Sequence, residues 1–395
     1  MLGMAPSVHK PNAFLPSGCL REPKEKEHIP RPVPLFRPDR ILLTKGWDRT
    51  PQQARLAEGI CAAYPHAEVV DRADRSHNHV DLGCDDSLVR HRTGKRTLVL
   101  GEHKSPVRFS DEQRVCCPNY WHFSPYGFCP YGCTYCYLAG TRGVWFSPTV
   151  KVFLNLDEML ARINRTARRL ARPVAFYLGK LQDGLALDPL TGYSRRLVPF
   201  FAAHPYAHLI VLTKSGQVDD LLDLAPEGHT ILSWSLTPEA LARRYEPSAP
   251  TTAARLAAMR RCAAAGYRLR AVVMPILPVR GWRCAYGDLL QELLGLEAME
   301  RVTLGSLCSF PNAMRLMMRK LGRQDELSAS LARLARSQDG RYRFPPKTRT
   351  DCYRFLLRII AQGRPSLEVG LCLEQAEVLH RAGLERRTSQ CNCVL

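Results

Sequence analysis

Cys129-Pro-Tyr-Gly-Cys133-Thr-Tyr-Cys136 is the stretch that decides how the rest of the chain is interpreted. Three thiols at the spacing C-x₃-C-x₂-C on a short loop can converge on one inorganic cluster, and Gly132 is expected to allow the tight turn. A 4Fe–4S cluster bound only by cysteine takes four thiolates, so three leave one iron with an open coordination position. The loop therefore predicts a catalytic cluster.

Radical SAM enzymes use an open iron of this kind to bind S-adenosylmethionine (SAM) and cleave it reductively to a 5′-deoxyadenosyl radical. The loop resembles the radical SAM superfamily motif, including the aromatic Tyr135 just before the last cysteine. The resemblance implies that Cys129, Cys133 and Cys136 bind a 4Fe–4S cluster and that SAM is the second cofactor. The alternative is a zinc knuckle in a non-enzymatic nucleic-acid-binding protein, but no Cys-x₂-Cys or His-x₃-His partner at zinc spacing is evident downstream.

Length and composition indicate a globular protein with a polyanionic partner. The chain has 395 residues, 45% hydrophobic and 24% charged, which is enough to bury a large core. Its 56 Lys and Arg against 37 acidic residues give a net charge of +19, which favours DNA or another polyanion. The 15 cysteines show no disulfide framework, and neither a signal peptide nor a membrane span is apparent. We therefore expect a cytoplasmic protein that does not enter a membrane.

The pattern along the chain predicts four regions: a flexible Pro-rich arm over 1–38, a small α/β unit over 39–112, a barrel over 113–310, and a basic extension with a cysteine-containing tail over 311–395. In the third region strands and helices alternate, which predicts parallel strands joined by crossover helices. Asn155 is expected to cap the helix that follows the cluster loop.

A cluster loop placed early in such an alternation resembles the partial (β/α)₆ TIM-type barrel of radical SAM enzymes. The expected fold is therefore α/β, with active residues at the C-terminal ends of the strands. The predicted strands are 40–44, 68–71, 96–101, 173–178, 208–213, 230–235, 269–276 and 301–307, and the predicted helices include 194–203, 218–224, 251–265 and 285–294.

Beyond the cluster loop, the chain resembles the spore photoproduct lyase family from about residue 36 to about residue 365. Single tripeptides are weak matches, but their order and spacing together are specific. The segments that carry the resemblance are Thr97-Leu-Val-Leu-Gly101, Cys133-Thr-Tyr-Cys-Tyr-Leu138, Thr213-Lys-Ser215, Trp234-Ser-Leu236, Tyr245-Glu-Pro247, Ala254-Arg-Leu256, Ala265-Gly-Tyr267, Val273-Met-Pro-Ile276 and Gly281-Trp282.

This second resemblance implies residues for SAM binding and for hydrogen transfer. Lys214 and Ser235 match the strand-end residues that hold the methionine end of SAM, and a lysine ammonium can balance its carboxylate. Glu246 is a weaker candidate for positioning the ligand. Tyr135 and Tyr137 match the family tyrosines on either side of the last cluster cysteine, where a phenol can relay a hydrogen atom. Alternatively, Tyr137 only packs under the cluster loop.

One departure concerns the hydrogen donor. The lyases carry a cysteine at the end of the strand after the cluster helix, but Tyr177-Leu-Gly-Lys-Leu-Gln-Asp183 contains no thiol and position 180 is Lys. Cys391 and Cys393 lie on a short polar tail that could fold back over the barrel mouth and donate hydrogen. With Cys372 they could instead bind an auxiliary cluster, and a tail without function is the third possibility.

The substrate stays open between a pyrimidine lesion in DNA and a peptide or natural-product intermediate. Nine Arg and one acid lie between 241 and 285, and those at 255, 260, 261, 268, 270, 280 and 283 are candidates for phosphate contacts. Arg341 and Tyr342, on a stretch that resembles the family's substrate-side hairpin, are candidate substrate-binding residues. An electron donor such as flavodoxin or ferredoxin is implied.

Overall fold

The computed structural model describes residues 28–384 and 391–395. Residues 1–27 of the predicted arm and 386–390 of the predicted tail lie outside the described residues. The strands are β1 Arg40–Thr44, β2 Glu68–Arg72, β3 Thr97–Gly101, β4 Val107–Phe109, β5 Trp121–Phe123, β6 Tyr126–Gly127, β7 Val150–Phe153, β8 Val174–Leu178, β9 Ala207–Thr213, β10 Thr230–Leu236, β11 Arg268–Ile276, β12 Met299–Ser306, β13 Cys308–Ser309, β14 Ala335–Arg336, β15 Tyr342–Arg343 and β16 Glu368–Leu371.

The helices surround two larger sheets. They are α1 Pro51–Ala62, α2 Ser87–Lys95, α3 Arg142–Phe146, α4 Leu156–Leu170, α5 Asp188–Thr191, α6 Ser194–Ala202, α7 Glu239–Tyr245, α8 Thr252–Ala264, α9 Trp282–Leu294, α10 Pro311–Leu321, α11 Glu326–Leu331, α12 Pro346–Gly363 and α13 Ala376–Arg381. Two 3₁₀ turns lie at Tyr137–Gly140 and Asp219–Leu221.

The larger sheet has eight strands in the order β16-β12-β11-β10-β9-β8-β5-β4. All neighbouring pairs are parallel except β4 with β5. The prediction of an α/β fold with crossover helices is confirmed. The sheet is open, because β16 and β4 form its two edges and do not pair with each other among the described residues.

The smaller sheet interleaves with the larger one along the chain. Its order is β2-β1-β3-β7-β6, so β7, which follows the cluster loop in sequence, joins strands that precede it. Conversely, β4 lies before the loop and β16 near the C-terminus, yet both belong to the larger sheet. A third sheet, β13-β15-β14, is antiparallel. The regional boundaries at 112 and 310 stay a prediction.

The two faces of the larger sheet carry different environments. On β10, Leu232, Trp234 and Leu236 belong to the main core, which includes Leu256 and Met259 of α8. Because side chains alternate along a strand, Ser233 and Ser235 point to the opposite face. That inner face carries the candidate site.

Two local predictions were wrong. Residues 218–224 form only the short 3₁₀ turn. Asn155 makes no capping hydrogen bond, because its Oδ1 accepts from His103 N at 3.0 Å and its Nδ2 donates to Glu158 Oε2 at 2.9 Å. Its side chain therefore ties α4 to the loop after β3. Among the described residues, no helix has the length and apolarity that a membrane crossing requires.

Candidate active site

The cluster loop, residues 129–136, is fixed by contacts from two helices. Lys95, the last residue of α2, donates from Nζ to two carbonyl oxygens of the loop, including that of Tyr131 at 2.7 Å. The carbonyl oxygen of Tyr245, at the end of α7, accepts a hydrogen bond from Thr134 N at 2.7 Å. These contacts hold the loop at the edge where the parallel strands end.

Gly132 is needed for a reason other than the one expected from sequence. Its backbone does not adopt a positive φ. A Cβ at this position would lie 3.1 Å from the Oγ of Ser248, so the loop backbone approaches the segment after α7 closely. A side chain at position 132 would require Ser248 or the loop to shift by a few tenths of an ångström.

The three loop cysteines line one cavity of about 270 Å³, here called the cluster cavity. Lys214 and Ser235, from the C-terminal ends of β9 and β10, line the same cavity. The predicted convergence of thiols and strand-end residues is thus present.

The electrostatics of the cluster cavity suit an anionic iron–sulfur cluster. Burial raises the pKa of Cys129 and Cys133, and the neighbouring Lys95 and Lys214 act against this rise. Lys320 of α10 also faces the thiols. Burial lowers the pKa of Lys320 to about 8, and the neighbouring thiols oppose this decrease. Metal-bound cysteines are thiolates, and nearby lysines balance their charge. The residues present therefore fit the implied cluster.

No three or more His, Cys, Asp or Glu side chains in the described part of the chain converge on a single metal ion. This does not conflict with the cluster, because its thiolates bind different irons and stand further apart than ligands of one ion.

Lys214 lies at the centre of a buried charge network. Its Nζ is 2.5 Å from Glu246 Oε1, 3.1 Å from the Tyr135 hydroxyl and 3.9 Å from Cys133 Sγ. Arg255 pairs with the other carboxylate oxygen of Glu246. Burial lowers the pKa of Lys214 to about 8. Two cations share one carboxylate, so the network has room for a second anion.

Asp183 organises this edge of the sheet, and sequence reasoning missed it. Its carboxylate accepts hydrogen bonds from Lys214 N at 2.7 Å, from Thr213 Oγ1 at 2.6 Å, and from the backbone of Leu185 and Ala186. Burial raises its pKa, and these hydrogen bonds oppose the rise. The only signal in the sequence was an acidic residue before Gly after a buried strand. Asp183 positions Lys214 through the backbone.

The structure separates the two candidate tyrosines. Tyr135 donates its hydroxyl hydrogen to Glu246 and belongs to the Lys214 network. The Tyr137 hydroxyl instead donates to the backbone oxygen of Lys180 at 3.3 Å. The Tyr137 hydroxyl therefore reaches the backbone of position 180, where the resemblance implies a donor cysteine. Ser235 Oγ donates to Met274 O at 3.4 Å.

At that position the side chain of Lys180 forms an ion pair with an acidic residue. Its Nζ lies 3.0 Å from Glu112 Oε1. The other oxygen of Glu112 lies 2.8 Å from Arg341 Nη2. Arg341 also pairs with Asp339 at 2.9 Å and lines the cluster cavity. Tyr342 lies beside it on β15 but is not among the residues that line the cavity.

The tail cysteines enter the same cavity. Cys391 and Cys393 are buried and line its wall, together with Cys117 and Cys372. The segment 391–395 lies against the inner face of the larger sheet. It does not fold over the mouth of the barrel, as the sequence had suggested. Sequence reasoning missed Cys117, which has no recognisable spacing to the others.

Two of the arginines between 241 and 285 that were expected to contact phosphate lie inside the protein, and phosphate contact by the exposed ones stays a prediction. Arg255 and Arg270 are fully buried. Arg260, Arg261 and Arg268 each pair with an acidic side chain.

Basic side chains gather instead around a second cavity of about 510 Å³, here called the basic cavity. It shares Thr141 and Leu181 with the cluster cavity. Its basic lining residues are Lys45, Arg49, Lys104, Arg108, Arg142 and Lys151.

Comparison with known proteins gives consistent matches. A family model described as spore photoproduct lyase matches residues 42–305. The spore photoproduct lyase of Geobacillus sp. (strain Y412MC61) is 32% identical over 255 residues, which cover 64% of this chain and 72% of that protein. The lyase of Bacillus subtilis (strain 168) is 28% identical over 225 residues, 56% of this chain and 64% of that protein.

Solved structures match over most of the chain. A spore photoproduct lyase complexed with dinucleoside spore photoproduct has a TM-score of 0.74 at 25% identity, covering 85% of this chain and 99% of that chain. A mutant lyase with bound AdoMet and the same dinucleoside has a TM-score of 0.73 at 24% identity, covering 85% of this chain and 98% of that chain.

Proposed function

This chain belongs to the spore photoproduct lyase family of radical SAM enzymes, and we propose that it uses SAM to repair a pyrimidine lesion in DNA. The observation that carries the proposal is the convergence of Cys129, Cys133 and Cys136 with Lys214 on one cavity. A non-enzymatic zinc protein is not compatible with this family.

In the proposed reaction Cys129, Cys133 and Cys136 would hold a 4Fe–4S cluster, which would supply the electron for the reductive cleavage of SAM to methionine and the 5′-deoxyadenosyl radical. A flavodoxin- or ferredoxin-type protein would supply that electron. The residues of the chain bind and orient the reactants. They also hold the substrate C–H bond close to the radical carbon and keep water and stray hydrogen donors out.

Lys214 and Ser235 would bind the methionine end of SAM. The Lys214 ammonium is placed beside Cys133, and its network carries two cations against the single carboxylate of Glu246. A bound carboxylate would complete the charge balance, and charge-assisted hydrogen bonds are the strong ones in a buried site. Tyr135, bonded to Glu246, would keep that acid turned to Lys214.

Hydrogen return would use Tyr137 and the tail thiols. Cys391 and Cys393 would take part in hydrogen return, because both line the cluster cavity and position 180 carries no thiol. Tyr137, whose hydroxyl lies at Lys180 O, would relay hydrogen between this position and the SAM side.

DNA as substrate is supported by charge and by the relatives. The net charge is +19. The basic cavity adjoins the cluster cavity, so DNA phosphates could lie along the basic cavity while the lesion enters the cluster cavity. A related structure holds dinucleoside spore photoproduct. Arg341 at the cavity wall, with Tyr342 beside it on β15, would contact an extruded lesion.

A peptide or natural-product intermediate is the second candidate substrate. The observation that favours it is Lys180, ion-paired to Glu112 where the family has its thiol. Salt-dependent DNA binding separates the two, because phosphate contacts release counterions and a small-molecule pocket does not.

The test is an anaerobic incubation of cluster-loaded protein with dithionite, SAM and DNA containing spore photoproduct. We expect restored thymines and 5′-deoxyadenosine. Arg341→Ala with Tyr342→Ala should weaken binding to damaged DNA while SAM cleavage without substrate persists. If the wild-type protein cleaves SAM but does not bind DNA even at low salt, the small-substrate alternative is favoured.

A further inference from the structure

The C-terminal segment 391–395 is part of the wall of the cluster cavity. Two buried arginines hold its backbone from inside the larger sheet: Arg270 Nη1 donates to Asn392 O at 3.2 Å, and Arg301 Nη1 donates to Cys391 O at 3.1 Å. Ser233 Oγ donates to Asn392 Oδ1 at 2.8 Å. Burying a guanidinium is costly unless it is paired, so these contacts fix the segment in place.

The wall formed by this segment has an unused hydrogen-bond donor. Asn392 lines the cavity, and its Nδ2 is buried without a hydrogen-bond partner among the described residues. Thr303 Oγ1, in the same wall, is also buried without a hydrogen-bond partner among the described residues. Buried polar groups are normally paired, so these two atoms indicate a ligand that completes their hydrogen bonds.

Four thiols meet at this wall. Cys391 forms side-chain hydrogen bonds with the thiols of Cys117, Cys372 and Cys393, and its Sγ lies 3.8 Å from that of Cys393. These bonds lower the pKa of Cys391, while burial and the same contacts raise the pKa of the other three. The set therefore carries S–H hydrogens around one central sulfur.

The geometry does not favour a metal role for this set, which we call the thiol cluster. No group in the described residues converges on a single metal ion. Sulfurs in direct contact are also too close for thiolates that bind different irons of a four-iron cluster. Its aromatic neighbours are Tyr120 and Tyr177, whose ring centroids lie 5.6 Å apart, and Tyr177 bonds to Cys393.

Cys372 is the member that reaches the reacting end of the cavity. It follows Leu371, the last residue of β16, and its N donates to Leu304 O at 2.8 Å near the end of β12. It therefore lies at the same strand ends as Lys214. Cys391 is held from Arg301, near the start of β12, so it lies deeper.

Cys372 also lies near the place of the absent family thiol. Cys372, Tyr137 and Lys180 line the same cavity. The hydroxyl of Tyr137 in turn lies at Lys180 O. Cys372, which is distant in sequence, therefore lines the same cavity as position 180, where the family carries its donor cysteine.

We propose that Cys372 donates the hydrogen atom to the substrate radical and that Cys117, Cys391 and Cys393 take the radical away from the product. This inference rests on the proposed radical SAM function and assigns its hydrogen donor. One S–H bond breaks and one C–H bond forms, with no transfer of charge. The radical then moves among the four sulfurs: a neighbouring S–H gives its hydrogen atom to a thiyl, so one S–H bond breaks as another forms, and where the neighbour is the Cys391 thiolate an electron moves instead and the thiolate left behind takes up a proton. An electron from the reductant and a proton from solvent restore the last S–H.

The direct test uses deuterium, because thiol hydrogens exchange with D₂O. Wild-type protein in D₂O should place one deuterium in the repaired thymine, and Cys372→Ala should lose this label while SAM cleavage continues. Cys262→Ala, a buried thiol outside the cavity, should keep the label. Loss of the label in Cys308→Ala, at the same cavity wall, with retention in Cys372→Ala would overturn the proposal.

A rescue experiment separates donation from structural damage. Lys180→Cys in the Cys372→Ala background restores a thiol at the family position and should restore the labelled product. Lys180→Ala in the same background is the matched control and should not. Equal product from both double variants would contradict Cys372 as the donor, and iron lost in Cys372→Ala would instead indicate an auxiliary cluster.

Two readouts do not depend on the DNA substrate. SAM cleavage without substrate in D₂O should give deuterated 5′-deoxyadenosine in the wild-type protein and less deuterium in Cys372→Ala. Diamide treatment of cluster-free protein should give disulfides within the thiol cluster, mapped by peptide mass spectrometry. If both results appear but DNA is not repaired, the substrate proposal fails and the donor proposal stands. If neither appears, the donor proposal fails.

Discussion

The cluster loop and the C-terminal segment bring cysteines to the same cavity in opposite chemical settings. The loop thiols face Lys95, Lys214 and Lys320, cations that favour thiolates. The thiol cluster faces other thiols and tyrosines, and its hydrogen bonds raise the pKa of Cys117, Cys372 and Cys393 around Cys391, whose pKa they lower. Cations around sulfur suit metal binding, whereas buried S–H groups suit hydrogen transfer. The neighbours of a cysteine, more than its burial, decide its chemistry.

The largest expected effect would break the comparison at the loop. Replacing Cys129, Cys133 or Cys136 by Ala removes a thiolate that no nearby side chain replaces, so iron content and 5′-deoxyadenosine formation should fall to background. Iron assays and product chromatography measure this, with Cys262→Ala as control. Full SAM cleavage by the triple Ala variant would refute the assignment.

A second change tests whether the lysines at the loop serve SAM rather than iron. Lys214→Met removes a charge-assisted hydrogen bond to the SAM carboxylate, which is worth about 1.5–3 kcal/mol. SAM should bind roughly ten to a hundred times more weakly, as measured by equilibrium dialysis, while iron is retained. Lys347→Met, on the exposed side of α12, is the control. Loss of iron together with SAM would place Lys214 among the groups that hold the cluster.

A third change tests the C-terminal segment as part of the fold. Truncation after Thr388 removes the carbonyl acceptors of Arg270 and Arg301 and leaves two buried cations with fewer partners. We expect a loss of about 1–3 kcal/mol for each, seen as a lower thermal midpoint, with SAM cleavage retained. Val394→Ala keeps the backbone acceptors and should cost less. An unchanged thermal midpoint after truncation would mean that the segment does not pack against the larger sheet.

The smallest expected effect concerns a surface that belongs to neither thiol group. Lys104→Ala with Arg108→Ala, at the basic cavity, should lower the slope of log affinity for DNA against log salt by about 0.9 for each lost phosphate contact. Iron content and deuterium transfer should not change. Arg165→Ala with Arg169→Ala on α4 removes the same charge elsewhere. The same slope in both pairs would exclude the basic cavity as a phosphate site.

The sequence was most informative where the signal is local. The spacing of the loop cysteines and the run of β9 into Lys214 are short-range patterns, and the structure places both where the parallel strands end. Arginine density was misleading, since Arg255 and Arg270 pair inside the protein. A count of charges contains no information on which partners folding will supply.

By itself the sequence determined the α/β alternation, the cluster loop and the family, because hydrophobic periodicity and cysteine spacing are properties of neighbouring residues. Only the tertiary structure decided that Cys117, Cys372, Cys391 and Cys393 meet at one wall. They come from the loop after β4, the end of β16 and the C-terminal segment, and the sheet order that joins these elements is non-local. Asp183 and Glu112 gained their partners in the same way, since a carboxylate is defined by the groups that fold against it.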